Sequence, residues 1–66
     1  MKISELALND PVVVSDEPDA TAYTVRAIDP INNVVGLQYV NAAGLTVRAG
    51  WIDPSLLRRD RRPVAA

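Results

Sequence analysis

Residues 45–51 read LTVRAGW, and their alternation of apolar and polar side chains is the clearest structural signal in this 66-residue chain. Leu45, Val47 and Ala49 fall on one face of an extended segment, and the residues between them fall on the other. Successive side chains of a β-strand point to opposite faces of the sheet. The pattern therefore predicts a strand with Leu45, Val47 and Ala49 facing the core and with its other side in water.

Three further segments predict strands. The period of two recurs in residues 23–28 and in residues 34–40. Residues 12–14 are three consecutive valines, and β-branched side chains favour a short strand over a helix. With residues 45–51, these segments make four predicted strands.

The connections contain turn residues. Residues 29–33 (DPINN) and 41–44 (NAAG) predict hairpins, because Pro fixes φ and both Asn and Gly tolerate positive φ. Residues 15–22 are acidic, contain Pro and lack periodicity, which predicts a longer exposed loop. Residues 53–57 (DPSLL) begin with a cap residue followed by Pro, which predicts one 3₁₀ turn before a short last strand at 57–59.

This order of elements resembles that of SH3-like barrels over residues 9–59. The resemblance is carried by NDPVVV at 9–14, similar to the opening strand of such barrels, and by WIDPSLL at 51–57, similar to their closing turn. It implies an all-β fold, a small five-stranded SH3-like antiparallel barrel with one 3₁₀ turn before the last strand. Residues 1–8 are then an N-terminal arm and residues 60–66 a flexible C-terminal tail.

Length and composition limit the protein to a single small domain. The chain has no Cys and no His, which removes disulfides, thiol nucleophiles and zinc sites of the usual kind. The opening residues 1–5 (MKISE) are not an apolar signal segment, and no apolar run approaches the ~20 residues needed to span a bilayer. We expect a cytoplasmic protein that has no membrane partner.

Enzymatic function has little support in the sequence, which offers no paired nucleophile and base, no Gly-rich phosphate loop and no metal-ligand cluster. The layout is similar to that of the type II dihydrofolate reductases, which are SH3-like barrels that act as tetramers. Their pore motif VQIYP would fall near residues 48–52, which read RAGWI without a Gln. None of that family's catalytic residues is carried over, and we expect a non-enzymatic protein without a cofactor or a bound metal.

The aromatic residues are candidates for a protein-binding site. Trp51 is the only Trp and follows Gly50, where a β-bulge would redirect the next side chain. Burial in the core is the favoured interpretation of Trp51, Tyr23 and Tyr39, because a small domain needs its largest apolar side chains for burial. The alternative makes Trp51 an exposed anchor for a partner.

The acidic loop is a second candidate for protein binding. Asp16, Glu17 and Asp19 crowd its tip, and the corresponding loop of eukaryotic SH3 domains reads basic peptides. The aromatic pair that lines their polyproline groove is not evident in this chain. A solubilising role is the simpler interpretation of these carboxylates.

An arginine cluster ends the chain and is the candidate nucleic-acid-binding site. Its members are Arg58, Arg59, Arg61 and Arg62. Such a cluster gains affinity for phosphates by releasing counterions. No aromatic residues are interleaved to stack on bases, and the net charge is only −1, so a solvated tail is the simpler interpretation.

These observations predict a non-enzymatic protein-interaction or assembly module, in the manner of a bacterial or phage accessory protein. Its partner is another protein or a second copy of itself, bound through a barrel face or a sheet edge. The apolar content is high enough that Ile28, Ile31, Val13 or Val34 is expected to stay exposed after the core is filled. The alternative is a nucleic-acid-binding SH3-like module that uses the arginine cluster.

Overall fold

The computed structural model describes residues 1–62 and contains five β-strands and two 3₁₀ turns. The strands are β1 (Pro11–Val13), β2 (Tyr23–Asp29), β3 (Val34–Val40), β4 (Thr46–Ile52) and β5 (Arg58–Arg59), and the 3₁₀ turns are Ile3–Glu5 and Pro54–Leu56. The all-β class, the five antiparallel strands and the 3₁₀ turn before the last strand are thereby confirmed. Residues 63–66 of the predicted tail lie outside the described residues.

One antiparallel sheet contains all five strands in the order β4-β3-β2-β1-β5. The last strand returns beside the first, with Val12 opposite Arg59 and Val13 opposite Arg58. Within residues 1–62, β4 and β5 are the two ends of the paired sheet. No helix in this part of the chain is long and apolar enough to cross a membrane.

Both predicted hairpins are closed by side chains that bond to the local backbone. Asp29 accepts hydrogen bonds from the backbone and side chain of Asn32, and Asn33 takes a left-handed φ of 54°. In the second hairpin the Asn41 side chain accepts from two backbone N–H groups, and Gly44 takes a φ of 79°. These positions need Asn or Gly because other side chains are strained at positive φ.

The core draws on both ends of the chain as well as on the central strands. Its buried cluster consists of Leu6, Val12, Val25, Val35, Leu37 and Leu57. Strands β1, β2 and β3 and the residue before β5 all contribute side chains to this one cluster. The first residues pack here too, and the Met1 ammonium donates to the carbonyl oxygens of Pro54 and Leu57 at 3.0 and 2.9 Å.

The four valine and isoleucine residues that were expected to be exposed behave differently from one another. Ile31 is 92% exposed at the tip of the first hairpin, as expected. Val13 is only 5% exposed although it lies outside the core cluster, so its predicted exposure is wrong. Ile28 and Val34 are partly buried, and Ile28 packs against the core cluster.

We predict that Leu57→Ala lowers the free energy of unfolding by about 2–5 kcal/mol, because it leaves a cavity at a fully buried position. Leu56→Ala, at a neighbour that is 58% exposed, should change it by less than about 0.5 kcal/mol. Urea denaturation followed by circular dichroism measures both values. Equal losses in the two variants would contradict the described core.

Candidate functional site

A β-bulge in β4 determines which side chains reach the surface. Gln38 on β3 lies opposite Arg48, whereas the adjacent Leu37 lies opposite Gly50, so Ala49 is an extra residue without a partner. Gly50 has a left-handed φ of 83° at this point. A bulge of this kind bends the strand and reverses the alternation of its side chains.

The reversal turns Trp51 outward. Beyond the bulge Ile52 lies opposite the buried Val35, and Trp51 lies opposite Gly36 on the other side of the sheet. The Trp51 side chain is 54% exposed, so its predicted burial in the core is wrong. That prediction assumed an unbroken alternation along β4, which the extra residue interrupts.

The prediction that Leu45, Val47 and Ala49 all face the core is also wrong. The bulge accounts for Ala49, and the start of the strand at Thr46 accounts for Leu45. Ala49 is exposed as the bulged residue, and Leu45 is 63% exposed because it lies in the hairpin before the strand begins. Val47 is partly buried opposite Tyr39. The side chains of β4 that face inward are therefore those of Val47 and Ile52.

A second bulge, in β2, brings a cation to the same place. The register of β2 on β3 shifts between Val25 and Ala27, which makes Arg26 the extra residue. Its guanidinium lies 5.3 Å from the centre of the Trp51 ring. A cation–π contact at an exposed site contributes about 0.5–1 kcal/mol.

Gly36 provides the space for this contact. A Cβ atom added at Gly36 would lie 2.9 Å from Cζ of Arg26, so the guanidinium fills the space where a side chain would stand. Arg26 also donates from Nε to the carbonyl oxygen of Leu37 at 3.3 Å. Gly36 is buried as a consequence, and the arginine is held against the sheet by both contacts.

We call the outward side of β2, β3 and β4 the Trp51 face. Its residues around the ring are Thr24, Arg26, Ala27, Asp29, Gly36, Gln38, Arg48 and Trp51 itself. Arg48 is exposed in the row beside Trp51, opposite Gln38. Within residues 1–62, neither Arg26 nor Arg48 forms a salt bridge, so the face carries two cationic groups that are not neutralised by a contacting carboxylate.

The two tyrosines lie on the opposite, inward side of the sheet. Tyr23 and Tyr39 form an edge-to-face pair with ring centres 5.7 Å apart. Both are partly buried, and Tyr23 packs against the core cluster. The structure therefore does not bring them together with Trp51, and their role in protein binding stays a prediction.

The acidic loop and the arginine cluster contact each other. Arg58 forms a salt bridge with Asp16, although 42 residues separate them in sequence. Arg62 donates to the carbonyl oxygens of Pro18, at 3.1 Å, and Ala20. Sequence reasoning assigned these segments to separate sites, but in the fold each supplies the other with hydrogen-bonding partners.

Other members of the two charged segments are held less closely. Arg59 lies 3.9 Å from a carboxylate oxygen of Asp10, and Arg61 is exposed. Glu17 and Asp19 are exposed as well. Exposed ion pairs contribute at most about 1 kcal/mol each, so the contact between the acidic loop and the arginine cluster is weak and sensitive to salt.

Three carboxylates have lowered pKa values because of local hydrogen bonds. Asn32 lowers the pKa of Asp29, Ser55 lowers that of Asp53, and Arg62 lowers that of Asp60. Each bond lies within a turn or at a chain end, which assigns these carboxylates a structural role. No group of three or more acidic residues in the described part of the chain is placed to hold a metal ion.

Comparison with known proteins gives no relative for this arrangement: the chain matches no protein-family model, no curated protein and no solved structure.

We predict that Gly50→Ala lowers the free energy of unfolding by about 1–2 kcal/mol, because a Cβ atom strains the left-handed backbone. No atom lies within 4 Å of the added carbon, so the cost belongs to the backbone alone. Urea denaturation measures it. A variant as stable as the parent would show that the bulge does not require the positive φ.

We predict that Gly36→Ala keeps the fold, with a change in unfolding free energy below about 1 kcal/mol, and displaces Arg26 from Trp51. The new methyl group meets only the mobile end of a side chain. Proton NMR measures the displacement as loss of the ring-current shift of the Arg26 side chain. Trp51→Leu should abolish the same shift, and a shift that persists in Gly36→Ala would contradict the described contact.

Proposed function

We propose that this chain is a non-enzymatic protein-interaction or assembly module and that the Trp51 face is its contact surface. The observation that carries the proposal is the 54% exposure of Trp51 on the outward side of the sheet, with the guanidinium of Arg26 beside its ring. Tryptophan and arginine are the residue types most enriched at the energetic centres of protein interfaces.

The stability of the domain does not explain why Trp51 is exposed. A small domain gains most from burying its largest apolar side chain, yet here three valines, Val12, Val25 and Val35, are fully buried while Trp51 is not. A partner that covered the ring would recover this apolar area. The contact with Arg26 restrains the ring before binding, which reduces the entropy lost in the complex.

The assignment to the SH3-like barrels belongs to the same proposal. The strand order β4-β3-β2-β1-β5, the long loop between β1 and β2 and the 3₁₀ turn before β5 are compatible with it. The type is shared by many interaction modules and does not by itself specify a partner. A cytoplasmic location and a bacterial or phage accessory role stay predictions.

The alternative, nucleic-acid binding through the arginine cluster, has weaker support. Arg58 and Arg62 direct hydrogen bonds to the acidic loop, and a phosphate would have to compete with those contacts. The carboxylates of Asp16, Glu17 and Asp19 also lie in the neighbouring loop and oppose the approach of a polyanion. Within residues 1–62, neither Arg26 nor Arg48 of the Trp51 face forms a salt bridge.

Site-specific photocrosslinking tests the proposal in the cells that make the protein. A benzophenone amino acid replaces Trp51 in one variant and Leu56 in the other, since the two side chains are exposed to a similar extent, 54% and 58%. We expect a discrete protein adduct from position 51 and none, or a much weaker one, from position 56. An adduct with a second copy of the chain would indicate self-assembly through the same face.

Equal adducts from both positions would show non-specific proximity and contradict the proposal. An absence of protein adducts at position 51, or crosslinking to nucleic acid there, would contradict it as well. Circular dichroism of both variants verifies that they fold.

A further inference from the structure

We propose that the occupant of the Trp51 face is an extended acidic segment of a partner protein, which pairs with the free edge of β4, covers Trp51 and places a carboxylate beside Arg48. This inference rests on the proposed function and specifies the chemistry of the partner. Three features of the structure support it: the position of β4 at the edge of the sheet, the charge of the Trp51 face and the register of β3 and β4.

The edge of β4 is open to an additional strand on both sides of the bulge at Ala49 and Gly50, which interrupts regular pairing at that point. It is an end strand of the sheet within residues 1–62 and is seven residues long, whereas β5 at the other end has only two residues. One side of β4 pairs with β3, so the backbone groups on its other side have no strand partner in the described chain. Such an edge is a template for an extended peptide, which gains affinity from main-chain hydrogen bonds.

The charge of the face selects an acidic partner. Strands β2, β3 and β4 contain only three charged residues, namely Arg26, Asp29 and Arg48. Asp29 lies opposite Val34, on the same outward side and two β3 residues beyond the Trp51 row, and it accepts three hydrogen bonds within its own hairpin. The positive charge that has no salt bridge within residues 1–62 therefore lies at Arg26 and on the Arg48 side of Trp51, and a carboxylate complements it on that side.

The register of the sheet fixes the spacing that the partner must have. Trp51 lies opposite Gly36 and Arg48 lies opposite Gln38, so the two rows are two β3 residues apart, which is about 7 Å along the sheet. An added strand presents alternate side chains to one face with the same spacing. An apolar or aromatic residue would cover Trp51, and a carboxylate two positions away would reach Arg48.

The acidic group Asp53 limits the other side of the site. It follows β4, and its carboxylate accepts the backbone N–H of Ser55 at 2.9 Å, which keeps it ionised in the turn. A carboxylate on the partner is therefore favoured on the Arg48 side of Trp51 and opposed on the Asp53 side. The expected motif has its acid on one defined side of the apolar residue.

Panning a random dodecapeptide display library on the immobilised full-length chain tests this inference without assuming a sequence. We expect the selected peptides to be enriched in Asp and Glu, with an apolar or aromatic residue two positions from an acid. A synthetic peptide of the selected sequence should shift the NMR signals of the Trp51 indole N–H and of β4 amides.

Two matched variants distinguish a contact with Arg48 from a general effect of the net charge of the chain. Arg48→Gln should weaken binding of the selected peptide at least about tenfold, whereas Arg61→Gln, which removes the same charge from an exposed position outside the face, should weaken it less than about twofold. Equal effects of the two substitutions would overturn the inference.

The remaining outcomes distinguish the inference from the proposed function. Selected peptides that are neutral or basic, yet lose binding in Trp51→Ala, would overturn the acidic partner and leave the binding face intact. The same holds if no peptide is selected while crosslinking at position 51 succeeds. Peptides that bind Trp51→Ala as well as the parent would overturn both. A single-stranded oligodeoxythymidine that binds the face more tightly than any selected peptide would overturn the inference in favour of a nucleic-acid ligand.

Discussion

The left-handed backbone of Gly50 is the constraint on which the surface of this protein depends. It accommodates the extra residue Ala49 in β4, and the strand beyond it presents the opposite set of side chains to each side of the sheet. Without the bulge, continuous alternation from Val47 would put Trp51 inside and Ile52 outside. The identity of the exposed residue is therefore a matter of backbone geometry more than of side-chain hydrophobicity.

Two bulges act together at one place on β3. The bulge of β2 positions Arg26 and the bulge of β4 positions Trp51. Both register shifts occur beside Gly36 and Leu37 of β3. Because Gly36 has no side chain, the guanidinium rests on the sheet beside the indole ring. Both residues are presented by strands of the sheet, and their mutual contact and the hydrogen bond of Arg26 to Leu37 restrain the side chains. A preorganised surface of this kind loses little entropy on binding.

The parts of the structure that local sequence determines were predictable, and the parts that depend on distant contacts were not. The strands, both hairpins and the turn after Asp53 follow from alternation, capping and turn residues within a few positions. The sequence contains one local indication that Trp51 is exposed, namely the preceding Gly50, which permits a bulge. The apolar and polar alternation of β4 favours burial instead, and the prediction followed the alternation. The approach of Arg26 to Trp51 and of Arg58 to Asp16 joins residues far apart in sequence, and no local pattern contains that information. The chemistry of the candidate site belongs to this second kind.

The bulge also has a consequence for how such a surface tolerates changes in chain length. Loss of Ala49 alone would leave Arg48 opposite Gln38 and Trp51 opposite Gly36, so the ring would stay on the outside of a strand with regular alternation. The bulge thus confines one inserted residue to a single position and preserves the pairing on both sides of it. Without it, one added residue would move every later side chain of β4 to the other face. Related sequences that differ by one residue at this point of β4 can therefore present the same face to their surroundings.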